Sequence, residues 1–414
     1  MKRTMVIAMA VLLVVMLPAL ALADKDVRKV EKTFELKKGG NLDLDIELGG
    51  DIIIEGWDRD EVSVKVVISG RHRDEVELDF EKQSKGLEIK ADIDHDRDTR
   101  ASCDFVIMVP AKFDIEFETL GGDVEIRGVE GEINGQTMGG DIDFEDLKGH
   151  LAVTTMGGDI VVSDSEVDGK VKTMGGDVDI VNVKGDLKGS TMGGDVTYEN
   201  VTRSGKDDDK EITISTMGGD LALDYAGKNV KAKTLGGDID VSSAEKVNVT
   251  TMGGDITVGS APTGAKMKTM GGDIEIGMAG EYVDAETMGG DITVDDIDGW
   301  VKAVTMGGDV EVTMTGDPGK GKRDVSIKSM GGDIDLTVPK DLSMDFDIEI
   351  QWTKDADRKP KIVSDFDIDI EETKEWKKKH GTKRKYIYGT GKAGSGKHVI
   401  KIRTINGDVH INEK

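Results

Sequence analysis

A carboxylate returns at almost fixed intervals along this 414-residue chain. Thirteen Gly-Gly-Asp triplets occur, and twelve of them run in series from Gly121 to Asp333. Their aspartates stand at 123, 141, 159, 177, 195, 220, 238, 255, 273, 291, 309 and 333, mostly 18 residues apart. If that period is structural, Asp141, Asp159, Asp177 and Asp195 form a column at the spacing of paired strands, ~4.8 Å. Like charges that close repel by roughly 1 kcal/mol per pair in water. Ca²⁺, which takes carboxylate and carbonyl oxygens, would relieve the repulsion. The calcium-binding coil known from other solenoids is Gly-Gly-x-Gly-x-Asp, and this chain lacks its third Gly and its nine-residue half-period. The preferred reading is therefore structural: each Asp accepts backbone N–H groups at its own turn. No metal is expected, and calcium on Asp141, Asp159, Asp177 and Asp195 is the alternative.

Other residues that could do chemistry have plainer explanations. Thr137, Thr155, Thr173, Thr191 and Thr216 repeat in the manner of an ice-binding array, but alternation places them with buried Val. Met138, Met156, Met174 and Met192 sit beside the Gly pairs and are expected to pack at a corner rather than ligate a metal. Asp92–Asp98 has the opening of an EF-hand loop without its Gly or its later Glu, and reads as a solvated acidic loop. Gly391–Lys397 imitates a phosphate-binding loop, but His398 replaces the Ser or Thr that would hold Mg²⁺. The following Val399–Arg403 reads as a strand, so a hairpin loop is expected. The six His are scattered, and Cys103 is the only Cys. No catalytic constellation and no cofactor site is expected.

The elements that must position these residues are strands. Asp141-Ile142-Asp143-Phe144, Asp177-Val178-Asp179-Ile180 and Asp309-Val310-Glu311-Val312 are apolar at every second position, as are Val171-Lys172-Thr173 and Val301-Lys302-Ala303. Period two with β-branched residues indicates half-buried strands. The faces fall out of phase across Thr-Met-Gly-Gly, so the chain bends there. Gly139, Gly140, Gly157, Gly158, Gly175 and Gly176 suit that bend, accepting positive φ and allowing close approach. Gly149, Gly169, Gly185 and Gly299 mark a second turn. One unit cannot bury its apolar face alone, so the units must stack. The expected fold is all-β: a β-solenoid, or parallel β-helix, of ~18-residue coils, with atypical β caps at both ends. A right-handed coil is the expectation for parallel crossovers.

The flanks bound the array. Residues 1–23 read as a secretory signal peptide: Lys2 and Arg3, an apolar run over Val6–Leu17, and Ala21-Leu22-Ala23 before Asp24. No later segment is apolar enough to span a bilayer. Residues 24–109 are strand-rich with one early Gly-Gly-Asp, residues 110–339 hold the regular array, and residues 340–414 return to a final variant coil. The formal charge is −27, and becomes −29 once Lys2 and Arg3 leave with the signal. Such acidity argues against nucleic acid and against direct adhesion to anionic lipid.

The layout also has a familiar look. It appears in Asn41–Asp51 running into Ile52–Asp58, in Val109-Pro110-Ala111 before Phe113–Thr119, in Leu120–Val124, and in Lys401–Val409. In these the chain resembles the putative-adhesin family of bacterial envelope proteins, which are built from repeated Gly-Asp-Ile/Val strands. It departs from that family in using Met-Gly-Gly almost uniformly. The resemblance implies an exported β-solenoid at the cell envelope. The expected function is a non-enzymatic rod, in the periplasm or on the cell surface, serving as envelope scaffold or adhesin-like binding surface. Its partner would be an envelope protein or a polysaccharide. The alternatives are a Ca²⁺-responsive binding module and, third, a polysaccharide-active enzyme on a β-helix.

Overall fold

A computed structural model of the chain describes residues 27–93, 101–202, 211–379 and 382–414. Residues 1–23, read above as a signal peptide, most of Asp92–Asp98, and Lys206–Asp209, within a spacing of 25 rather than 18 residues between Asp195 and Asp220, lie outside the described residues. Among the described residues there is no helix. The strands join in one continuous sheet system that winds into a β-solenoid. Each coil supplies one strand after the Gly-Gly-Asp turn and one before the next turn. Strands pair in parallel with their equivalents one coil away. The post-turn ladder sets Ile142–Glu145 against Ile160–Ser163, residue for residue, and then against Val178–Val181 in turn. The pre-turn ladder sets Lys148–Thr155 against Glu166–Lys172. Inward residues of the two ladders, such as Ile142, Phe144, Leu151 and Val153, meet in a narrow buried core.

That core adjusts its volume across the coil. Phe117 and Tyr198 are fully buried, and each fills the space beside a glycine. A Cβ on Gly135 would stand 2.1 Å from the Phe117 ring, and one on Gly189 would stand 3.2 Å from that of Tyr198. The Tyr198 hydroxyl accepts the Gly189 N–H at 2.6 Å and donates to the Leu187 carbonyl at 2.8 Å. Its polar atom is therefore satisfied inside the apolar core.

The second corner is made differently from the expectation. Asp146, Asp164, Asn182 and Asn200 take left-handed backbone there, with φ of 48–55°, a conformation that Asp and Asn tolerate better than other side chains. Gly149 follows three residues later, where a Cβ would lie 2.1 Å from the Gly131 carbonyl oxygen. The glycines first assigned to that turn mark close coil-to-coil approach just beyond it.

Both flanks contribute coils. Gly40–Gly49 pairs in parallel with Phe113–Gly121, and Ile52–Trp57 with Val124–Arg127. Gly86–Asp92 and Ala101–Pro110 stack on the other side of that early coil. At the far end His398–Ile405 pairs onto Val325–Lys328, and Val409–Glu413 onto Ile334–Val338. Antiparallel strands lie beyond each end: Glu61–Gly70 on Ala101–Pro110 and Val27–Glu35 on Glu61–Gly70, and Thr382–Ala393 on Met344–Thr353. An open parallel edge would otherwise offer unpaired backbone groups.

The two glycines of each pair do different work. A Cβ on Gly158 would stand 1.9 Å from the Gly140 carbonyl oxygen, whereas a Cβ on Gly157 would meet nothing closer than 3.8 Å. Neither has positive φ, so at this coil the second glycine is required by approach of backbone to backbone. Gly158→Ala should therefore cost about 3 kcal/mol or more, because a backbone oxygen cannot swing aside. Gly157→Ala should stay within about 1 kcal/mol of the parent. Chemical denaturation of the two variants checks this, and equal destabilisation would contradict it.

Candidate functional site

The aspartates form one continuous ladder, and its bonding differs from the expected self-contained turn. Each Oδ1 accepts the backbone N–H of the next coil's Asp: Asp123 Oδ1 from Asp141 at 2.8 Å, Asp141 from Asp159 at 2.9 Å, and Asp159 from Asp177 at 2.8 Å. The series begins at Asp104, which accepts from Asp51 at 3.3 Å, and Asp51 accepts from Asp123 at 3.0 Å. It ends where Asp333 accepts from Asp408 at 2.7 Å. The Asp carbonyls complete it in the other sense, as in Val124 N–H to Asp141 O at 2.8 Å and Ile142 N–H to Asp159 O at 2.8 Å. A side chain thus replaces the backbone acceptor that the Gly-Gly turn has rotated out of line.

The last carboxylate has no further coil. Asp408 is buried, and the Arg358 guanidinium donates to its Oδ2 while the Lys361 N–H donates to Oδ1 at 2.9 Å. Burial alone would raise the Asp408 pKa. The hydrogen bonds from Arg358 and Lys361, with the charges of both residues, outweigh it and hold the carboxyl below the ordinary range. Arg358 also reaches Asp333 at 3.4 Å. Nothing in the spacing of the sequence pointed to Arg358.

The threonines line the inner side of the same turn and are buried. Thr173 Oγ1 donates to the Gly158 carbonyl of the preceding coil at 2.8 Å and accepts the N–H of its own Gly176 at 3.2 Å. The same pattern recurs at Thr191 and Thr216. Such hydroxyls present no outward lattice.

The methionines correct the expectation of packing at the corner. Met138, Met156, Met174 and Met192 are exposed, and the ladder methionines from Met138 to Met330 have 39–57% of their surface open. Leu120 and Leu235 take the same position in their coils and are also exposed. The Thr hydroxyl closes the turn inward, so the residue after it is thrown outward. Periodicity across the bend had placed Met174 with Val178, which is buried. The result is a row of exposed apolar side chains beside the Asp ladder, Met in all but the coils of Leu120 and Leu235.

Other candidates resolve simply. Gly391–Lys397 is no hairpin: the strands it joins, Thr382–Ala393 and His398–Ile405, lie on opposite sides of Met344–Thr353. Gly394 and Gly396 take positive φ, and the Lys397 N–H donates to Ser343 Oγ at 3.1 Å. The Pro318–Arg323 insertion is pinned by buried Arg323, which donates to the carbonyls of Thr315, Asp317 and Lys320 and to the Asp298 carboxylate. Burial, aided by Asp104, pushes the Cys103 thiol up to about 11, which leaves it unreactive at neutral pH. Among the described residues no three His, Cys, Asp or Glu side chains gather to hold a metal ion. Nor, among them, is any helix long and apolar enough to cross a membrane.

Residues 40–232 and 206–412 match the family described as Toastrack DUF4097. The chain belongs to this family. Solved structures similar to this Toastrack protein include a putative cell adhesion protein from Clostridium sporogenes, at 10% identity over 94% of this chain and 100% of that one, with a TM-score of 0.18. A putative adhesin from Parabacteroides merdae has 10% identity over 68% and 97%, with a TM-score of 0.30. A putative lipid binding protein from Parabacteroides distasonis has 12% identity over 75% and 96%, with a TM-score of 0.19. No protein of curated function matches the chain. The family assignment rests on the sequence match, and it agrees with the resemblance drawn from the Gly-Asp strands.

The ladder generates two expectations. Asp177→Asn keeps an acceptor for the Asp195 N–H, now 2.7 Å away, and relieves repulsion, so its stability should stay within about 0.5 kcal/mol of the parent. Asp177→Ala should lose about 1 kcal/mol. Ca²⁺ and Mg²⁺ should raise the melting temperature alike and slightly, by screening. A saturable, Ca²⁺-selective rise that the Asn variant loses would overturn this. Arg358→Gln should lower the melting temperature at pH 7. Because the Asp408 pKa is depressed in the fold, its contribution is complete above about pH 5 and fades as pH falls through the lowered value. The gap between parent and variant should therefore close on acidification, and a gap unchanged from pH 7 to pH 3 would contradict the assignment.

Proposed function

We propose that this Toastrack protein is an exported, non-enzymatic rod that presents its repeated faces as an envelope scaffold or adhesin-like binding surface. The observation that carries the reading is the methionine row. Fifteen laddered aspartates from Asp104 to Asp408, at ~4.8 Å per coil, make a stack of roughly 65 Å. Along most of it runs an exposed apolar side chain in every coil. Burying those thioethers would have been favourable for folding alone, by roughly 25 cal/mol per Å². Exposed apolar rows on an otherwise charged protein mark contact surfaces, and Met adapts its shape to a partner. A partner of this kind is an envelope protein or a polysaccharide, and a rod of this shape offers it an extended face rather than an enclosed pocket.

Residues 24–414, immobilised and exposed to envelope extract and to a panel of glycans, should retain a specific partner. Replacing Met174, Met192 and Met217 together by Gln should reduce that retention at least fivefold while the melting temperature stays within a few degrees. Turnover of any glycan by the parent would defeat the non-enzymatic reading, and retention unaffected by the triple variant would defeat the role of the methionine row.

A further inference from the structure

Six lysines of the pre-turn ladder lack the cross-coil ion pairs that other lysines of this rod make. Other lysines pair with an acid on a neighbouring coil: Lys112 with Glu130 at 2.6 Å, Lys184 with Glu166 at 2.9 Å and, within the pre-turn ladder itself, Lys268 with Glu286 at 3.5 Å and Lys302 with Asp284 at 2.8 Å. Such pairing is easy on a chain with 82 acidic against 55 basic residues. Lys170, Lys172, Lys188, Lys231, Lys233 and Lys266 all point outward from the pre-turn strands and are exposed. None has a carboxylate within ion-pair distance among the described residues. Lys170 even lies directly opposite Lys188 in register, a like-charge arrangement that weakens a sheet.

Next to the turn the residues between these lysines are polar and uncharged as far as Asn248 and Thr250, and acids flank them: Asp168 and Asp186 two residues before Lys170 and Lys188, and Asp284 beside Lys266. Lys231 has Thr213 and Asn248 as its lateral neighbours, Lys233 has Ser215 and Thr250, and Lys266 has Asn248 on one side and Asp284 on the other. The outward positions of the post-turn ladder in the same coils mix the acids Asp179, Glu199, Asp240 and Glu275 with uncharged residues such as Val181, Thr197 and Thr257. Burial, with the ladder carboxylates Asp177, Asp159 and Asp195 adding to it, pushes the Asp179 carboxyl upward despite a hydrogen bond with Thr197. Over these coils the pre-turn face carries its lysines next to the turn, whereas the same face is acidic in earlier coils, at Asp43, Asp45, Glu116 and Glu118, and in a later one, at Asp284 and Glu286.

We infer that the lysine face binds a linear polyanionic polysaccharide. Taken over the two outward positions nearest the turn, the strip is about 7 Å wide, and from Lys170 to Lys266 it runs for about 25 Å along the axis. That shape fits one extended polymer with charges along its length. The Ser, Thr and Asn side chains between the lysines can exchange hydrogen bonds with sugar hydroxyls. A flat anionic bilayer would also meet the exposed Asp ladder beside the strip. A single-stranded nucleic acid would find no aromatic side chain at the outward positions of the strip on which to stack its bases. The inference deepens the binding-rod reading and rests on it for the presence of a surface ligand.

The test uses residues 24–414 with four probes: polygalacturonate, neutral dextran, single-stranded DNA, and vesicles containing phosphatidylglycerol. Binding is measured at 20 and 200 mM salt. Polygalacturonate should bind, should weaken at the higher salt, and should exceed the other three probes. Changing Lys170, Lys172 and Lys188 together to Gln should weaken it at least tenfold. Changing the three to Arg should preserve it, and changing Lys112 and Lys184 to Gln should alter it less than twofold. Absence of polygalacturonate binding at low salt, equal binding of dextran, preference for DNA or vesicles, or an equal loss in the Lys112 and Lys184 variant each overturns the inference. If the envelope extract still yields a partner when polygalacturonate fails, only this inference falls. If neither binds, the binding-rod reading falls with it.

Discussion

The bond from an aspartate carboxylate to the next coil's amide sets the geometry on which the rest of this protein depends. A solenoid must turn sharply between its ladders, and at a turn the backbone carbonyls leave the ladder direction. An N–H there would be left without an acceptor, at a cost comparable to a lost hydrogen bond. The Asp side chain restores an acceptor where the backbone cannot supply one. Because donor and acceptor both belong to Asp, each coil makes the same demand of the next. Repetition of Gly-Gly-Asp is the sequence form of that demand.

The direction of the ladder also explains its ends. At one end the series needs a carboxylate with nothing before it, and Asp104 supplies this from a strand that follows Asp51 in the chain but precedes it in the stack. At the other end a buried carboxylate is left over. Arg358 and the Lys361 N–H take the place of the absent coil. A charge buried without those partners would be costly. Close approach at the same turn explains why the second glycine tolerates no side chain and why a Thr hydroxyl, rather than an apolar group, sits inside it.

In-register stacking then turns every surface position into a row. The same rule that aligns Asp aligns the exposed apolar residues beside it. A residue choice copied through the repeats, as at these two positions, becomes an extended strip of one chemistry.

The repeat, the alternation and the family were legible in the residues. Asp141-Ile142-Asp143-Phe144 and Val171-Lys172-Thr173 determine strands because period two leaves only one buried face, and Gly-Gly-Asp determines stacking because one unit cannot bury that face alone. The inward Thr followed from the same alternation. The outward Met did not, because alternation loses its phase at a bend and an apolar residue there is assigned to the core by default. The bonding of Asp to the next coil, rather than within its own turn, depends on how closely coils approach, which is a property of the stack. The αL corner at Asp146 and Asn182, the crossing of Gly391–Lys397 over Met344–Thr353, and the pairing of Arg358 with Asp408 likewise join residues that the chain separates. Local pattern determines what each segment is; only the tertiary structure decides which distant groups meet, since that depends on packing distances that no short stretch of sequence contains.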